Sequence, residues 1–233
     1  MKEKSRPVAK TSAARDHLGK KVVSAVELGP VVLPAPAFGR GKSVHAALQE
    51  RRTVRSIGER KMSLQMLSNL LWAACGVNRE KGPFGIPGIT AASASNSQEI
   101  DVYVAMEEAV YRYAPQEHRL DPVIAGDHRE LALGRRQGST GAKAPVRLIY
   151  VVDIDKFSKA GFQEPGLKAP ATQKAYYYVD TGLIAGNVYL FAAAQGLSAW
   201  FHNCDKAALA RKLKLRKDQR VLFGQTIGYE EKP

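Results

Sequence analysis

The stretch QERRTVRSIGER, positions 49–60, sets Arg51, Arg52 and Arg55 around Thr53. A guanidinium is a planar, permanently charged fork that grips phosphate or carboxylate oxygens two at a time. With a hydroxyl between such forks, the chemistry on offer is the holding of an anion. The competing reading is purely electrostatic, because cations also gather where a helix ends and its dipole is negative. On a helix continuing past position 50, Arg51 and Arg55 would share a face.

Two more stretches carry polar atoms at close spacing. TAASASNSQ (90–98) offers the hydroxyls of Ser93, Ser95 and Ser97, the amides of Asn96 and Gln98, and small side chains that let backbone approach a flat ligand. Its alternative is an ordinary polar loop. GLSAWFHNCD (196–205) crowds Trp200, Phe201 and His202 where a helix end turns into a strand, and packing in a core is the plainer explanation for those rings. No GxGxxG or GxxxxGK[ST] occurs, so an anion would be held by side chains rather than by a glycine-rich loop. Nothing resembles a nucleophile with its base, and no catalytic dyad or metal-ligand set is expected.

These residues need elements to position them. Ser43 caps a helix over VHAALQERR, and Ser63 caps one in which Leu64, Leu67, Leu70, Leu71 and Ala74 repeat at helical spacing up to Gly76. EIDVYVAM and AVYRYAP read as a hairpin across Glu107–Glu108, and Asp127 caps a short helix to about Arg136. VRLIYVVD is continuously apolar and β-branched, as in a strand buried on both faces. A long helix from about Thr172 to Gln195 ends at Gly196; its apolar face (Tyr176, Val179, Leu183, Ile184, Asn187, Leu190, Phe191) is too broad for a surface helix, so it is central or at an interface. LSAWF forms a strand, Asp205 caps a helix over KAALARKLKL, and RVLFGQTIGY closes the sheet. This order predicts an α+β three-layer fold over 43–233, preceded by a basic, Pro/Gly-containing arm over 1–42.

The totals leave several partners open. Lys+Arg 35 against Asp+Glu 22 gives +13, which suits nucleic acid, an anionic surface or a phosphorylated cofactor. The two cysteines, Cys75 and Cys204, stand alone among packing residues, which favours a reducing cytoplasm. No run approaches the length of a membrane span, and the first 15 residues hold no apolar signal core.

Taken together, the chain resembles the FMN-dependent nitroreductases over about residues 43–230. ERRTVR is similar to that family's Arg-Arg-Ser-x-Arg, followed by LLWAACGVNR; SASNSQ is similar to its Pro-Ser-x-x-Asn-x-Gln loop. DTGLIAGNVYLFAAAQGL matches its Gly-x-x-x-Gln-Asn-x-x-Leu helix and QTIGY its last strand. VYRYAPQEHRL further resembles an element of the azoline (thiazoline/oxazoline) dehydrogenase branch.

The resemblance implies a three-layer α-β-α sandwich with a mainly antiparallel sheet and a long central helix. It implies a homodimer with two FMN sites in the interface. Arg51 and Thr53 would hold the phosphate, Arg52 would lie along the ribityl-to-ring region, and Arg55 near N1 and the C2 carbonyl. Ser93, Ala94, Ser95 and Asn96 would come from the partner subunit against the ring. The turn 199–203, with Phe201, His202 and Asn203, would bring backbone amides to N5, and Asn78 and Gln98 would add polar contacts.

The implied activity moves hydride from NADH or NADPH through the flavin to a nitroaromatic, quinone or similar flat acceptor. One alternative is an azoline dehydrogenase acting on a modified peptide or small molecule; another, from a different class, is a basic nucleic-acid-binding or scaffold protein. The chain departs from the family pattern at Ala92 (for Pro), at Gly186 (for Gln), and at Lys232, which stands alone where longer members carry a basic tail.

Overall fold

The computed structural model describes residues 28–37, 39, 41–134 and 144–231. The Arg135 and Arg136 end of the expected 127–136 helix lies outside the described residues, as do Lys232 and the first 27 residues of the expected arm.

Serine caps start the first two helices as the sequence predicts. Ser43 Oγ accepts the Ala46 N–H ahead of α1 (Val44–Glu50), and Ser63 Oγ accepts the Met66 N–H ahead of α2 (Leu64–Cys75). Helix α3 runs over Pro170–Gln195 and ends on Gly196, whose φ of 68° is the left-handed conformation glycine adopts without strain. Helix α4 covers Lys206–Lys212, with Asp205 capping the Ala208 N–H.

The strands are β1 (Val31–Val32), β2 (Val77–Arg79), β3 (Gly88–Ile89), β4 (Ile100–Ala105), β5 (Ala109–Ala114), β6 (Arg119–Ala125), β7 (Val146–Asp153), β8 (Ser198–His202) and β9 (Gln219–Gly228). Seven of them form one antiparallel sheet in the order β1-β6-β5-β4-β7-β9-β8, while β2 and β3 pair separately. The expected β4–β5 hairpin and the doubly buried β7 are both present. One sheet face packs Val102, Leu148 and Tyr150 under α2 and α3; the other packs Tyr103, Ile149 and Val151 under Leu209 and Leu213 of the α4 region. The result is the three-layer α+β sandwich.

Four expectations change. Strand β9 does not close the sheet but lies between β7 and β8, leaving β8 at the edge. The helix expected after Asp127 is a 3-10 turn at Arg129–Ala132, with Asp127 bonded to the Arg129 N–H at 3.1 Å. Strand β6 was hidden by Pro122, which cannot donate to a ladder and sits by a register shift against β5. The last part of the expected arm is docked: Val31 and Val32 pair with Leu120 and Arg119, and Leu33 is buried. Leu33 gains from that burial, whereas Val32, on the other side of the strand, stays exposed.

What fastens residues 33–35 is the VYRYAPQEHRL element. His118, in the left-handed region at φ 47°, accepts the Tyr113 hydroxyl at Nδ1 (2.8 Å) and donates from Nε2 to Ser68 Oγ (2.7 Å). Ser68 Oγ donates in turn to the Pro34 carbonyl at 2.5 Å. Tyr113 is buried, so His118→Ala strands its hydroxyl, while Ser68 keeps its bond to the Pro34 carbonyl. A stranded buried hydroxyl costs about 1–3 kcal/mol. The expected result in urea unfolding is a loss of roughly 1–3 kcal/mol, with the slope unchanged.

Candidate functional site

Helix α1 stops one residue before the arginines. Arg51 is its C-cap with ψ 118°, so the chain turns extended and Arg51 and Arg55 share no helical face. Residues 51–58 instead form a strap along the sheet edge. Val54 N–H donates to the Ala199 carbonyl on the open side of β8 (3.1 Å), Gly58 N–H to Tyr229, and Glu231 N–H to Ser56. An unpaired edge strand is thereby covered, as edges must be.

The strap distributes its cations over aromatic rings. The Arg51 guanidinium carbon sits 5.4 Å from the Tyr189 ring centre, and that of Arg55 sits 5.5 Å from the Trp200 ring centre. Tyr189 rises from α3, whereas Trp200 packs with Ile57, Leu133 and Ala144 in a separate small cluster. The arginines therefore diverge around the edge of β8. Neither Arg51 nor Arg55 forms an ion pair with any described residue, so their N–H forks stay available. Arg52 is 3.6 Å from Glu230, both exposed, an ion pair worth little in water. Arg51 and Arg52 line a cleft of about 540 Å³ with Tyr189, Ala192, Gly196 and Ser198. Another cavity, of about 610 Å³, lies off the strap around Met62, Met106 and Glu108; its Lys61 is paired with Glu107 at 2.9 Å. It offers no comparable set of open donors.

Tyr189 is the residue sequence reasoning missed. Its hydroxyl accepts the Phe201 N–H at 2.8 Å and lies 3.1 Å from Thr53 Oγ1, joining strap, helix and edge strand. Its only sequence signal was its place two residues after Asn187. The Phe201 amide, expected to reach a flavin, is thus committed to Tyr189, and the Phe201 ring packs on Phe223 at 4.8 Å. Asn203 lies just beyond β8, exposed.

His202 turns inward. Its Nδ1 donates to the Asn203 carbonyl and its Nε2 accepts from Thr226 Oγ1, each at 2.8 Å. Burial pushes the ring down to about 4, the Asn203 carbonyl opposes that, and the Arg147 charge adds to it. The sign follows: the unfolded ring takes a proton near pH 6.5 and the folded one does not, so stability falls as pH drops from about 6.5 to 4. Glu99, described below, has the opposite sign, so the contribution is read as a difference. In urea melts across that range the acid loss shrinks in His202→Gln, by up to about 3 kcal/mol.

The remaining predicted residues form a second group. Ser93 Oγ accepts the Gln98 N–H (3.0 Å); Gln98 Nε2 donates to the Pro87 carbonyl (2.7 Å) and to Asn96 Oδ1 (3.0 Å). Ser95, Asn96 and Gln98 have φ of 50°, 53° and 48°, a left-handed run that non-glycine residues rarely adopt. Ala94 N–H is bonded to Asp180 on α3, while the strap meets α3 at Tyr189. Nine residues of helix separate these contacts, about 13 Å at 1.5 Å per residue. Among the described residues no hydrogen bond joins the strap to residues 93–98, although the Thr90 carbonyl just ahead of the loop accepts from Asn187 Nδ2 on α3 at 3.3 Å. Asn78 is exposed on β2. The loops on either side of this group touch each other: exposed Phe84 (φ 61°) stacks on exposed Phe162, ring centres 6.0 Å apart, an approach Gly161 permits because a Cβ there would lie 2.6 Å from Phe84.

A nitroreductase family model matches residues 48–229, which span the strap, both groups and the final strand. The chain belongs to the nitroreductase family. A protein of Methanocaldococcus jannaschii named for the nitroreductases is 30% identical over 157 residues, 64% of this chain and 73% of its own. The crystal structure of a Ralstonia eutropha JMP134 protein also named for them superposes with a TM-score of 0.76 at 27% identity, covering 98% of this chain and 99% of that one. A chain of the Escherichia coli microcin synthetase McbBCD complex shares the fold (TM-score 0.64, 18% identity, covering 96% of this chain and 85% of that one).

By family and fold the chain is thus an oxidoreductase, which favours that class over the nucleic-acid or scaffold reading. Among the described residues, no helix is long and apolar enough to cross a membrane, and Cys75 and Cys204 are buried and free.

Proposed function

We propose that this nitroreductase is an FMN-dependent homodimer that takes hydride from NADH or NADPH and delivers electrons to a nitroaromatic, quinone or similar flat acceptor in the cytoplasm. The observation that carries the proposal is the strap, where Arg51 and Arg55 lie on aromatic rings without carboxylate partners. The donor set fits the cofactor: Arg51 and Thr53 offer charged and neutral donors for a phosphate, and Arg52 is held only by an exposed glutamate. Arg55 supplies a fixed cation for a ring carbonyl. FMN, when bound, supplies hydride acceptance and return at its N5. The chain's part is to bind and orient that ring and to place positive charge where its reduced form gathers negative charge.

A second subunit supplies what one chain separates. Ser93, Ala94, Ser95 and Asn96 of the partner subunit would wall the ring, with Asn78 and Gln98 as further polar contacts. Gln98 then acts chiefly by holding the loop, because its amide is spent on Pro87 and Asn96. The amides of His202 and Asn203 remain the nearest backbone for N5, since that of Phe201 is bonded to Tyr189.

The azoline dehydrogenase reading stands second. It rests on VYRYAPQEHRL, and in the structure Tyr113 and His118 of that element are spent on fastening Ser68 and Pro34. One experiment separates the two. Anaerobic addition of NADH or NADPH to the yellow protein should bleach the flavin bands within seconds; a flavin that stays oxidised overturns the reductase reading in favour of the oxidative one.

A further inference from the structure

Glu99 and Asp180 place two carboxyl groups together beneath the 93–98 loop. Glu99 is fully buried just before β4, and Asp180 is 4% exposed on the inner side of α3. Asp180 Oδ2 accepts the Ala94 N–H at 2.9 Å, and Glu99 Oε2 accepts the Ser97 hydroxyl at 2.7 Å. The two acids thus hold the loop on either side of the left-handed Ser95–Asn96 pair. Glu99 Oε1, in contrast, meets no N–H or O–H donor.

The missing donor is explained by the neighbour. Two carboxylates in a dry site cannot both be charged, and one proton held between them satisfies the oxygen that otherwise has none. Burial first, then the Asp180 charge, pushes Glu99 up to about 7, and burial raises Asp180 as well. Other charged or titratable groups nearby do not neutralise the pair. Tyr176 lies on α3, Asp101 on β4 and Asp153 on β7, and Lys156 is held by Asp101 (2.7 Å) and the Gln98 carbonyl (3.1 Å).

We propose that Glu99 and Asp180 are positioning residues, a one-proton clamp that sets the 93–98 loop against the flavin of the neighbouring site. With the proton in place, Asp180 holds Ala94 as a carboxylate and neutral Glu99 accepts from Ser97. When the proton passes to water, two adjacent negative charges repel, and as the acids move apart they carry Ala94 and Ser97 with them and shift the strained loop. The inference rests on the flavin reading above and goes beyond it by making the grip on FMN depend on one buried proton.

The test is the FMN dissociation constant of the whole protein from pH 6 to 9, followed by flavin fluorescence. The natural protein should lose at least tenfold in affinity between pH 7 and 9. Glu99→Gln, which keeps the shape without the charge, should bind as tightly at pH 9 as at pH 6. Asp180→Asn removes the repelling neighbour and should move the slope's midpoint by at least one pH unit. The same slope in the natural protein and both variants overturns the clamp while leaving flavin binding intact. A colourless protein that takes up no FMN at any pH overturns the functional reading as well.

Discussion

Leu183→Arg yields a monomer that no longer retains FMN. The outer face of α3 carries Val179 at 58% and Leu183 at 44% exposure, and α1 beside it carries Val44 at 67% and Leu48 at 56%. Gly182 and Gly186 fall three and seven residues after Val179, on the same face, and a Cβ at either would meet no atom within 4 Å. Glycine inside a helix costs about 1 kcal/mol against alanine, so two on one face call for a compensating contact. In the proposed dimer a second α3 approaching closely would be that contact, and would account for Gly186 where the resemblance expects glutamine. A guanidinium buried there without a partner costs several kcal/mol. Light scattering after gel filtration should show half the mass of the natural protein. FMN should be lost with it, because in the proposed site each flavin takes the strap of one chain and the 93–98 loop of the other, whose anchors on one α3 lie about 13 Å apart. A Leu183→Arg protein that stays dimeric and yellow would refute this interface.

The second large effect separates the arginines. On the proposed reading Arg51→Ala removes a charge-assisted phosphate contact, worth about 1.5–3 kcal/mol, so the FMN dissociation constant should rise roughly ten- to hundredfold. Arg55→Ala should leave binding within a fewfold and instead make the bound flavin harder to reduce, because the lost cation favoured the reduced, more negative ring. The divergence of the two side chains, one on Tyr189 and the other on Trp200, is why one deletion should not mimic the other. Isothermal titration and redox potentiometry on both variants check this. Equal losses of affinity with unchanged potentials would contradict the assigned roles.

The sequence displayed the parts of this molecule that local physics governs. Serine caps at 43 and 63, the Gly196 stop and the hairpin across Glu107–Glu108 depend on a few adjacent residues, and each formed where the pattern placed it. Strand β6 was illegible because its proline contradicts strand chemistry, and only its neighbours make it a strand. The breadth of α3's apolar face was readable; that part of this face stays open in a single chain is a matter of packing. Of the candidate site, the arginine cluster and the polar loop were visible as motifs. Their separation along α3, the role of Tyr189 and the Glu99–Asp180 pair were not, because each depends on segments distant in sequence: Thr53 with Tyr189, and Ala94 with Asp180. The extended course of 51–58 was hidden for the same reason, since it is set by Ala199 and Tyr229 across the chain rather than by the helix before it.

The central claim is that the strap of one chain and the loop of another enclose a single FMN. Titrating FMN into the flavin-stripped protein in the analytical ultracentrifuge, with absorbance read in the flavin bands, addresses it most directly. The account predicts saturation at one FMN per chain, on a particle of twice the chain mass. Flavin that sediments free of the protein, or rides on a monomer, would contradict it.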